Sequence, residues 1–197
     1  VKIITLIERK KIKVDIEEPK KELQRILTEK RYNHSLGTMK MAKELAKVYG
    51  EDEEKAAFAG LIHDIAKEMP QDKIMEYVKL HNIKMDKIEE KQLGLMHAKL
   101  GASIAKEKYN CDEEIQKAIL YHTTGNKKMD RFAKIIYLAD KTEENRTYEE
   151  VEKLRKMAKE DLNGALLFTL DFTIQKSIRN KRLIHPDTID LRNYLLS

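Results

Sequence analysis

Residues that commonly bind metal ions recur at five places along this chain. They are His34, the adjacent pair His63 and Asp64, His97, His122 and Asp140. Neutral imidazole and carboxylate are the ligands that hold borderline divalent metals such as iron, manganese or zinc. The chain has only six histidines, and four of them fall at these places, each within a pattern that favours a helix. The arrangement predicts a metal centre in a helical bundle, where facing helices supply the ligands.

The number of candidate ligands favours two metal ions over one. A mononuclear site would need only the residues at the first, second and last of the five places. His97 and His122 allow a second metal ion, with Asp64 bridging both. Two metals at bridging distance generate hydroxide at neutral pH and clamp the attacking oxygen during an in-line phosphoryl displacement. The alternative makes His97 and His122 donors to a substrate phosphate beside a single metal ion.

The sequence around three of these ligands supports a metal centre. His63 and Asp64 lie near the end of an apolar helix predicted over residues 53–67, and consecutive helical residues, about 100° apart, can serve neighbouring coordination directions. Asp140 follows the apolar string IIYLA at a predicted helix end. Burial there would be costly without a partner, and the helix dipole disfavours a negative charge at that end. A core histidine or a solvated acid would explain one residue but not the set.

The remaining sequence predicts the helices that position these ligands. Glycine (7) and proline (3) are scarce among 197 residues, which favours long helices over a sheet with many tight turns. Apolar residues at helical spacing predict a first helix from Pro19. Further helices are predicted over residues 35–49, 53–67, 71–80, 98–109, 112–122, 130–140, 148–182 with a break near Asp161, and 186–196. Residues 82–92 are predicted to form a connecting segment.

Residues 1–18 differ in character from the rest of the chain. VKIITLI is rich in β-forming residues and KIKVDI alternates polar and apolar positions. The pattern predicts a small hairpin around residues 8–11, or a mobile tail if that hairpin does not dock, because an isolated hairpin is marginal in water. We therefore expect an N-terminal extension over residues 1–18 and one helical, metal-dependent domain over residues 19–197.

Composition limits the partners and the compartment. The net charge of +5 arises from 39 basic and 34 acidic residues, a modest excess that suits anionic substrates and is weak evidence for nucleic-acid binding. Cys111 is the only cysteine, which excludes an internal disulfide and predicts a cytoplasmic protein. No apolar run approaches the roughly 18–20 residues of a membrane span. The apolar tail IDLRNYLL could pack internally or form a homodimer contact.

Taken together, these motifs resemble a known family. His34, the His63-Asp64 pair and Asp140 on successive helices resemble the HD-domain phosphohydrolase superfamily. The longer strings are similar to the bacterial symmetrical bis(5′-nucleosyl)-tetraphosphatases of the HD type: RYNHSLG, HDIAKEMP, HAKLGA, YHTTG, IIYLADKTEENR and IHPDTIDLRNYLL. The resemblance covers about residues 20–197 and implies an all-α, HD-domain helical bundle.

The resemblance also implies a reaction and its metals. That family hydrolyses diadenosine tetraphosphate, and related dinucleoside polyphosphates, symmetrically to two ADP at a di-iron centre. His97, His122 and the bridging Asp64 would hold one metal ion and the remaining ligands the other, with a metal-bridging hydroxide attacking beside the central oxygen. Ligand type does not separate iron from manganese, cobalt or zinc.

Further residues are candidates for catalysis and for contact with the substrate. Asp64 and Lys67 are the candidate catalytic residues. The candidate substrate-binding residues are Arg31, Lys67, Thr123, Thr124, Gly125, Arg146, Arg179 and Arg182. Arginine offers phosphate a bidentate fork, lysine a point charge, and the Thr-Thr-Gly string hydroxyl or backbone donors. The two C-terminal arginines could equally form a solvated helix end.

One departure from the family pattern and two other functions stay open. The family shows an aromatic residue and Ile-Glu-Pro after Leu-Ala-Asp, where residues 141–144 here read KTEE. We expect this segment to touch no ligand, although it could alter the lip of the nucleotide pocket. The first alternative function is another HD-type nucleotide phosphohydrolase, such as a nucleotidase or a cyclic-nucleotide phosphodiesterase. The second is a nucleotide- or RNA-binding module without turnover, supported by the basic excess and the string RNKR.

Overall fold

The computed structural model describes residues 16–197, and within this range all regular structure is helical. The α-helices are α1 Glu17–Ile26, α2 Glu29–Tyr49, α3 Glu53–Ile62, α4 Gln71–Leu80, α5 Lys87–Lys91, α6 Met96–Tyr109, α7 Glu113–Tyr121, α8 Arg131–Thr142, α9 Val151–Glu160, α10 Leu162–Arg179 and α11 Pro186–Leu196. The prediction of an all-α fold is confirmed. The predicted N-terminal hairpin lies outside the described residues. No described helix is both long enough and apolar enough to cross a membrane.

Side-chain caps set where many of the helices begin. Thr28, Asp52, Asp112, Asp130 and Asp161 each accept a hydrogen bond from a backbone N–H in the first turn of the helix that follows. A cap of this kind typically contributes about 1 kcal/mol to stability. Asp161 also ends α9, so the predicted break in the long C-terminal helix is confirmed at that residue.

Two predicted helix boundaries near the ligands are wrong. Helix α2 begins at Glu29, earlier than predicted, because the Thr28 hydroxyl caps it. His34 therefore lies in the second turn of α2 and does not begin it. Helix α3 ends at Ile62, whereas the pattern predicted continuation to Lys67. The chain beyond Ile62 continues as turns closed by bonds between residues three apart.

The segment predicted to connect α4 and α6 also contains a short helix. Helix α5 occupies Lys87–Lys91 within the predicted connection at residues 82–92. Asp86 starts it through a capping box, in which its side chain accepts from the backbone and Glu89 bonds back to the backbone of Asp86. The sequence pattern did not predict this helix, because the segment is highly charged and its apolar residues show little helical spacing.

The core is built on α2, which packs against both α3 and α8. Helix α7 packs against α8 and α6, and α10 packs against α8 and α9. Leu45 of α2, Leu61 of α3 and Leu138 of α8 are each 0% exposed. Gly60 allows α2 and α3 to approach closely, since an added Cβ would lie 2.8 Å from the carbonyl oxygen of Thr38. This close contact places the second turn of α2 beside the end of α3.

We expect Gly60→Ala to lower the free energy of unfolding by about 1–3 kcal/mol, because the new methyl group meets helix backbone that cannot move aside. Urea unfolding followed by circular dichroism measures the change. Gly94→Ala is the matched control, since a Cβ there meets nothing within 4 Å. Equal stability of the two variants would contradict the close α2–α3 contact.

Candidate metal centre

Helix ends and one helical turn bring all six predicted ligands together. They are His34 from α2, His63 and Asp64 from the turns after α3, His97 from the start of α6, His122 from the end of α7 and Asp140 from the last turn of α8. All six are buried, with exposed fractions between 0% and 6%. Buried imidazoles and carboxylates require polar partners, and here they face one another.

Each imidazole is oriented by its Nδ1 atom. In three of them Nδ1 donates to the carbonyl oxygen of the residue three positions earlier, at 2.7 Å for His63, 2.5 Å for His97 and 2.6 Å for His122. In His34, Nδ1 donates to Oε1 of Glu143 at 3.0 Å. A carbonyl oxygen can only accept, so the proton is on Nδ1 and the Nε2 lone pair points into the centre.

The four Nε2 atoms meet in two pairs. Nε2 of His34 lies 3.2 Å from Nε2 of His63, and Nε2 of His97 lies 3.1 Å from Nε2 of His122. When the rings are neutral, both atoms of a pair are acceptors and neither can donate to the other. Lone pairs converging in this way are stabilised by a cation between them, so the donor set fits a divalent metal ion at each pair.

Asp64 links the two pairs. Its Oδ1 lies 3.2 Å from Nε2 of His97 and 3.3 Å from Nε2 of His122, and its Oδ2 lies 3.7 Å from Nε2 of both His34 and His63. The Oδ1 atom is buried and accepts no hydrogen bond within residues 16–197. A buried carboxylate oxygen without a donor needs a cation. The geometry therefore supports Asp64 as a bridging ligand.

Asp140 completes the pair formed by His34 and His63. Its Oδ1 lies 3.1 Å from Nε2 of His34 and 3.8 Å from Nε2 of His63. Two cations also contact the carboxylate, with Arg146 Nη2 at 2.5 Å from Oδ1 and Lys141 Nζ at 2.7 Å from Oδ2. Burial alone would raise the pKa of Asp140, but the surrounding cations and imidazoles outweigh burial and hold the pKa well below its usual value.

Burial and neighbouring charges together set the pKa of four further candidate ligands. Burial lowers the pKa of His63 to about 3 and the pKa of His97 to about 4, so both rings are neutral at pH 7. Burial by itself would raise the pKa of Asp64, but its polar neighbours outweigh burial and lower the pKa. At His34, burial is outweighed by two carboxylates, which raise the pKa. A proton therefore competes with a metal ion at His34, whereas His63, His97 and Asp64 are already in their metal-binding forms.

Several of the predicted substrate-binding residues lie at this centre. Arg31 Nη1 donates to Asp64 Oδ2 at 3.3 Å. Lys67 Nζ lies 3.1 Å from Nε2 of His97 and 3.9 Å from Asp64 Oδ1, and burial lowers the pKa of Lys67. Thr123 Oγ1 lies 3.0 Å from the same Nε2 of His97. Together with Arg146 at Asp140, these side chains place positive charge and a hydroxyl around the ligands.

The structure places the remaining candidates elsewhere. The Thr124 carbonyl oxygen accepts a hydrogen bond that tethers α11. Gly125 has a φ of 71° at the end of α7, and an added Cβ would lie 2.5 Å from Leu191 of α11, so its lack of a side chain serves packing. Arg179 is exposed in the last turn of α10. Arg182 lines a cleft beside the centre. Contact of these four residues with substrate stays a prediction.

Glu143 is a site residue that the sequence reasoning missed. The expectation that residues 141–144 touch no ligand is wrong, because Lys141 contacts Asp140 and Glu143 contacts His34. Glu143 is 1% exposed, since the chain leaving α8 turns back towards α2. The signal was present in the sequence: the glutamate of the family's Ile-Glu-Pro pattern falls on Glu143, and the departure affects only its neighbours.

Gly37 leaves space for the Glu143 carboxylate. It lies one turn after His34 in α2, and an added Cβ would lie 2.3 Å from Glu143 Oε2. Glycine inside a helix costs about 1 kcal/mol relative to alanine. Helix α2 therefore gives up local stability at the position where the carboxylate approaches the ligand.

We expect Glu143→Gln to weaken metal binding at the pair containing His34 by about 10–100-fold, because the amide no longer increases the basicity of the imidazole. Competition with a chromogenic zinc chelator measures the affinity. Glu144→Gln is the control: it removes the same charge one residue later, where the side chain is exposed and pairs with Lys40 at 2.7 Å. Equal losses in the two variants would contradict a specific effect of Glu143 on His34.

This chain is similar to known proteins over most of its length. The family model for the HD domain matches residues 31–145, which include all six candidate ligands. The symmetrical bis(5′-nucleosyl)-tetraphosphatase of Halalkalibacterium halodurans is 39% identical over 176 residues, covering 86% of this chain and 91% of the relative. The protein of the same name from Bacillus subtilis is 36% identical, covering 87% of this chain and 92% of the relative.

A solved structure shows the same fold. It is a crystal structure from Clostridium acetobutylicum, described as a predicted HD superfamily hydrolase involved in NAD metabolism. The two chains superpose with a TM-score of 0.89 at 42% sequence identity. The match covers 92% of this chain and 97% of that chain, so it extends beyond the ligand-bearing helices to the C-terminal ones.

Proposed function

Since the chain belongs to the HD domain family of metal-dependent hydrolases, we propose that it splits diadenosine tetraphosphate, and related dinucleoside polyphosphates, symmetrically into two ADP. The observation that carries the proposal is the pair of converging Nε2 sets with Asp64 between them. This donor set suits a dinuclear phosphohydrolase, and relatives 36% and 39% identical over most of the chain are named symmetrical tetraphosphatases.

The ligand set divides into two groups that share one residue. One group is His34, His63, Asp64 and Asp140, and the other is Asp64, His97 and His122. When bound, two divalent metal ions, which we propose to be iron, supply Lewis acidity that polarises a phosphoryl oxygen and makes a water molecule nucleophilic at neutral pH. The Nδ1 hydrogen bonds fix the orientation of the four rings before a metal ion binds.

The chain's own cations act on the substrate phosphates. Arg31 and Arg146 already contact the carboxylates of Asp64 and Asp140 and can turn a fork of N–H donors towards phosphate oxygens. Lys67 is mostly withdrawn from solvent, where its charge acts through a lower dielectric than in water. We assign to Lys67 the neutralisation of charge that develops on the departing ADP.

The single cysteine takes no part in this chemistry. Cys111 is buried, and burial raises the pKa of its thiol to about 12, so the side chain is a neutral thiol at pH 7. A thiolate is the nucleophilic form, which excludes Cys111 as a nucleophile in this conformation. The proposed compartment is the cytoplasm, where such a thiol stays reduced. The homodimer stays a prediction.

A substrate panel tests the proposed substrate class. We expect kcat/KM of the metal-loaded protein to be at least about 100-fold higher for diadenosine tetraphosphate than for AMP or cyclic AMP, since catalytic discrimination reflects differential binding of the transition state. NAD belongs in the panel because of the relative from Clostridium acetobutylicum. Preference for a monophosphate or a cyclic diester would select the other type of HD phosphohydrolase. Tight, salt-dependent RNA binding without turnover would select the binding module.

A further inference from the structure

A cleft of about 300 Å³ opens beside the metal centre, between the segment after α8 and helix α10. Its volume is at the lower end of the range found for small-molecule sites. Lys141 and Arg146 line this cleft, and both also contact the carboxylate of Asp140. The same two cations thus border the cleft and the ligand set.

The cleft is lined by four cations and, among the described residues, by no acid. The cations are Lys141, Arg146, Lys176 and Arg182. The first two share the charge of Asp140, but Lys176 and Arg182 form no ion pair within residues 16–197. Positively charged side chains gathered around a concave surface attract an anionic ligand. Four positive charges suit a group with several negative charges, such as a diphosphate.

A disfavoured backbone conformation holds Arg182 at the cleft. Lys181 has a φ of 51°, in the left-handed region that disfavours any residue with a Cβ. The N–H of Arg182 donates to the carbonyl oxygen of Ser177 at 2.9 Å, and the N–H of Lys181 to that of Ile178 at 3.1 Å. This helix ending normally has glycine at the left-handed position. The turn reverses the chain after α10 and brings Arg182 to the cleft, whereas Arg179 does not line it.

An aromatic wall and several hydroxyl groups complete the cleft. Tyr148 and Phe172 both line it, with their rings stacked at a centroid separation of 5.4 Å and an interplanar angle of 27°. The Tyr148 hydroxyl donates to the carbonyl oxygen of Lys141 at 2.8 Å, which fixes the ring beside the cations. Thr173 and Ser177 also line the cleft. Aromatic faces suit a nucleobase, and hydroxyl groups suit a ribose.

A second cleft, lined by the sequence neighbours Ala98 and Tyr121 of His97 and His122, differs in its charge. It has a volume of about 320 Å³, and Thr124, in the loop after α7, lines it. Three acids, Asp86, Glu89 and Asp187, line it together with Lys99 and His185, which pair with Glu89 and Asp86. Because the basic side chains of this cleft are already paired with its acids, it suits a polyphosphate less well than the cleft lined by Lys176 and Arg182.

We infer that the cationic cleft binds one nucleoside diphosphate half of the substrate. The phosphates lie along the cations towards Lys141 and Arg146, and the base lies against the wall formed by Tyr148 and Phe172. The inference rests on the proposed function for the identity of the substrate. It implies that two chemically identical halves of a symmetrical substrate occupy unequal surroundings, and that ADP competes with the substrate for the cleft.

Titration of ADP into the metal-loaded protein, followed by calorimetry, tests the cleft. We expect the double variant Lys176→Ala/Arg182→Ala to raise both the Kd for ADP and the KM for diadenosine tetraphosphate at least about tenfold, because two charged contacts are lost. The kcat is expected to stay within about threefold of the wild-type value, since neither side chain contacts a candidate metal ligand. The control Lys156→Ala/Lys159→Ala removes two exposed cations of α9 and leaves all three values unchanged.

The contribution of the base has its own test. We expect wild-type protein to bind ADP at least about tenfold more tightly than pyrophosphate, and Phe172→Leu to reduce that difference without changing pyrophosphate binding. Equal binding of ADP and pyrophosphate by the wild type would overturn the placement of the base. A melting curve for Phe172→Leu verifies that the variant is folded.

The possible results distinguish failure of the cleft assignment from failure of the proposed function. Normal hydrolysis by the double variant, with unchanged Kd and KM, would overturn the cleft and leave the proposed function standing. ADP binding that depends on Lys176 and Arg182, in a protein that does not hydrolyse diadenosine tetraphosphate, would retain the cleft and reject the proposed function. A wild-type protein that does not bind ADP would overturn the cleft assignment.

Discussion

Asp64→Ala is expected to release both metal ions and to lower hydrolysis of diadenosine tetraphosphate by at least about 1,000-fold, because the variant loses the Lewis acidity of the metals. The reason lies in the two oxygens of this side chain. Oδ1 faces His97 and His122, and Oδ2 faces His34 and His63. Removing one carboxylate therefore leaves both imidazole pairs without their shared anion.

Metal content after gel filtration measures the first part of this expectation, and circular dichroism verifies that the helices persist. Asp171→Ala is a suitable control, because it removes a half-buried acid whose ion-pair partner within residues 16–197 is Arg192 of α11. Wild-type metal content and turnover in Asp64→Ala would contradict the bridging role.

His122→Ala is expected to reduce the metal content from two ions per chain to one. Its Nε2 lies 3.1 Å from Nε2 of His97 and 3.3 Å from Oδ1 of Asp64, while the pair of His34 and His63 retains its own carboxylates. Activity is expected to fall by at least about 100-fold, because a second metal stabilises the attacking or the leaving oxygen.

This variant distinguishes a centre that holds two metal ions from a centre that holds one. If His97 and His122 served only as donors to a substrate phosphate, the wild type would hold a single metal ion and His122→Ala would hold the same. Elemental analysis of both proteins decides between these arrangements. His81→Ala is the control, since this histidine stacks on Tyr77 and pairs with Glu107 away from the centre.

The sequence was sufficient to name six candidate ligands that the structure brings together, because each of them occurs in a distinctive local string. His63 and Asp64 follow an apolar helix, and Asp140 follows another, so their types and positions identified them without knowledge of the packing. The fold class followed from helical spacing. Where α3 ends was not predictable, because Ile62 and the residues after it are all compatible with a helix and tertiary packing selects the turns.

The surroundings of the ligands depend on contacts between distant segments. Glu143 reaches His34 across 109 positions of sequence, and only Gly37 in α2 leaves room for it. The cationic cleft likewise joins the end of α8 to the end of α10. Arg179 and Arg182 were equivalent candidates in the sequence, and the backbone reversal at the end of α10 brings only the second to the cleft.

The products of hydrolysis test the central claim most directly. The metal-loaded protein is incubated with diadenosine tetraphosphate in water enriched in oxygen-18, and the nucleotides are separated by chromatography and analysed by mass spectrometry. Symmetrical cleavage predicts ADP as the sole nucleotide product, with one oxygen-18 atom in half of the ADP molecules. ATP and AMP in equal amounts would contradict the account, because the bond cleaved would then be an outer phosphate bridge and not the central one.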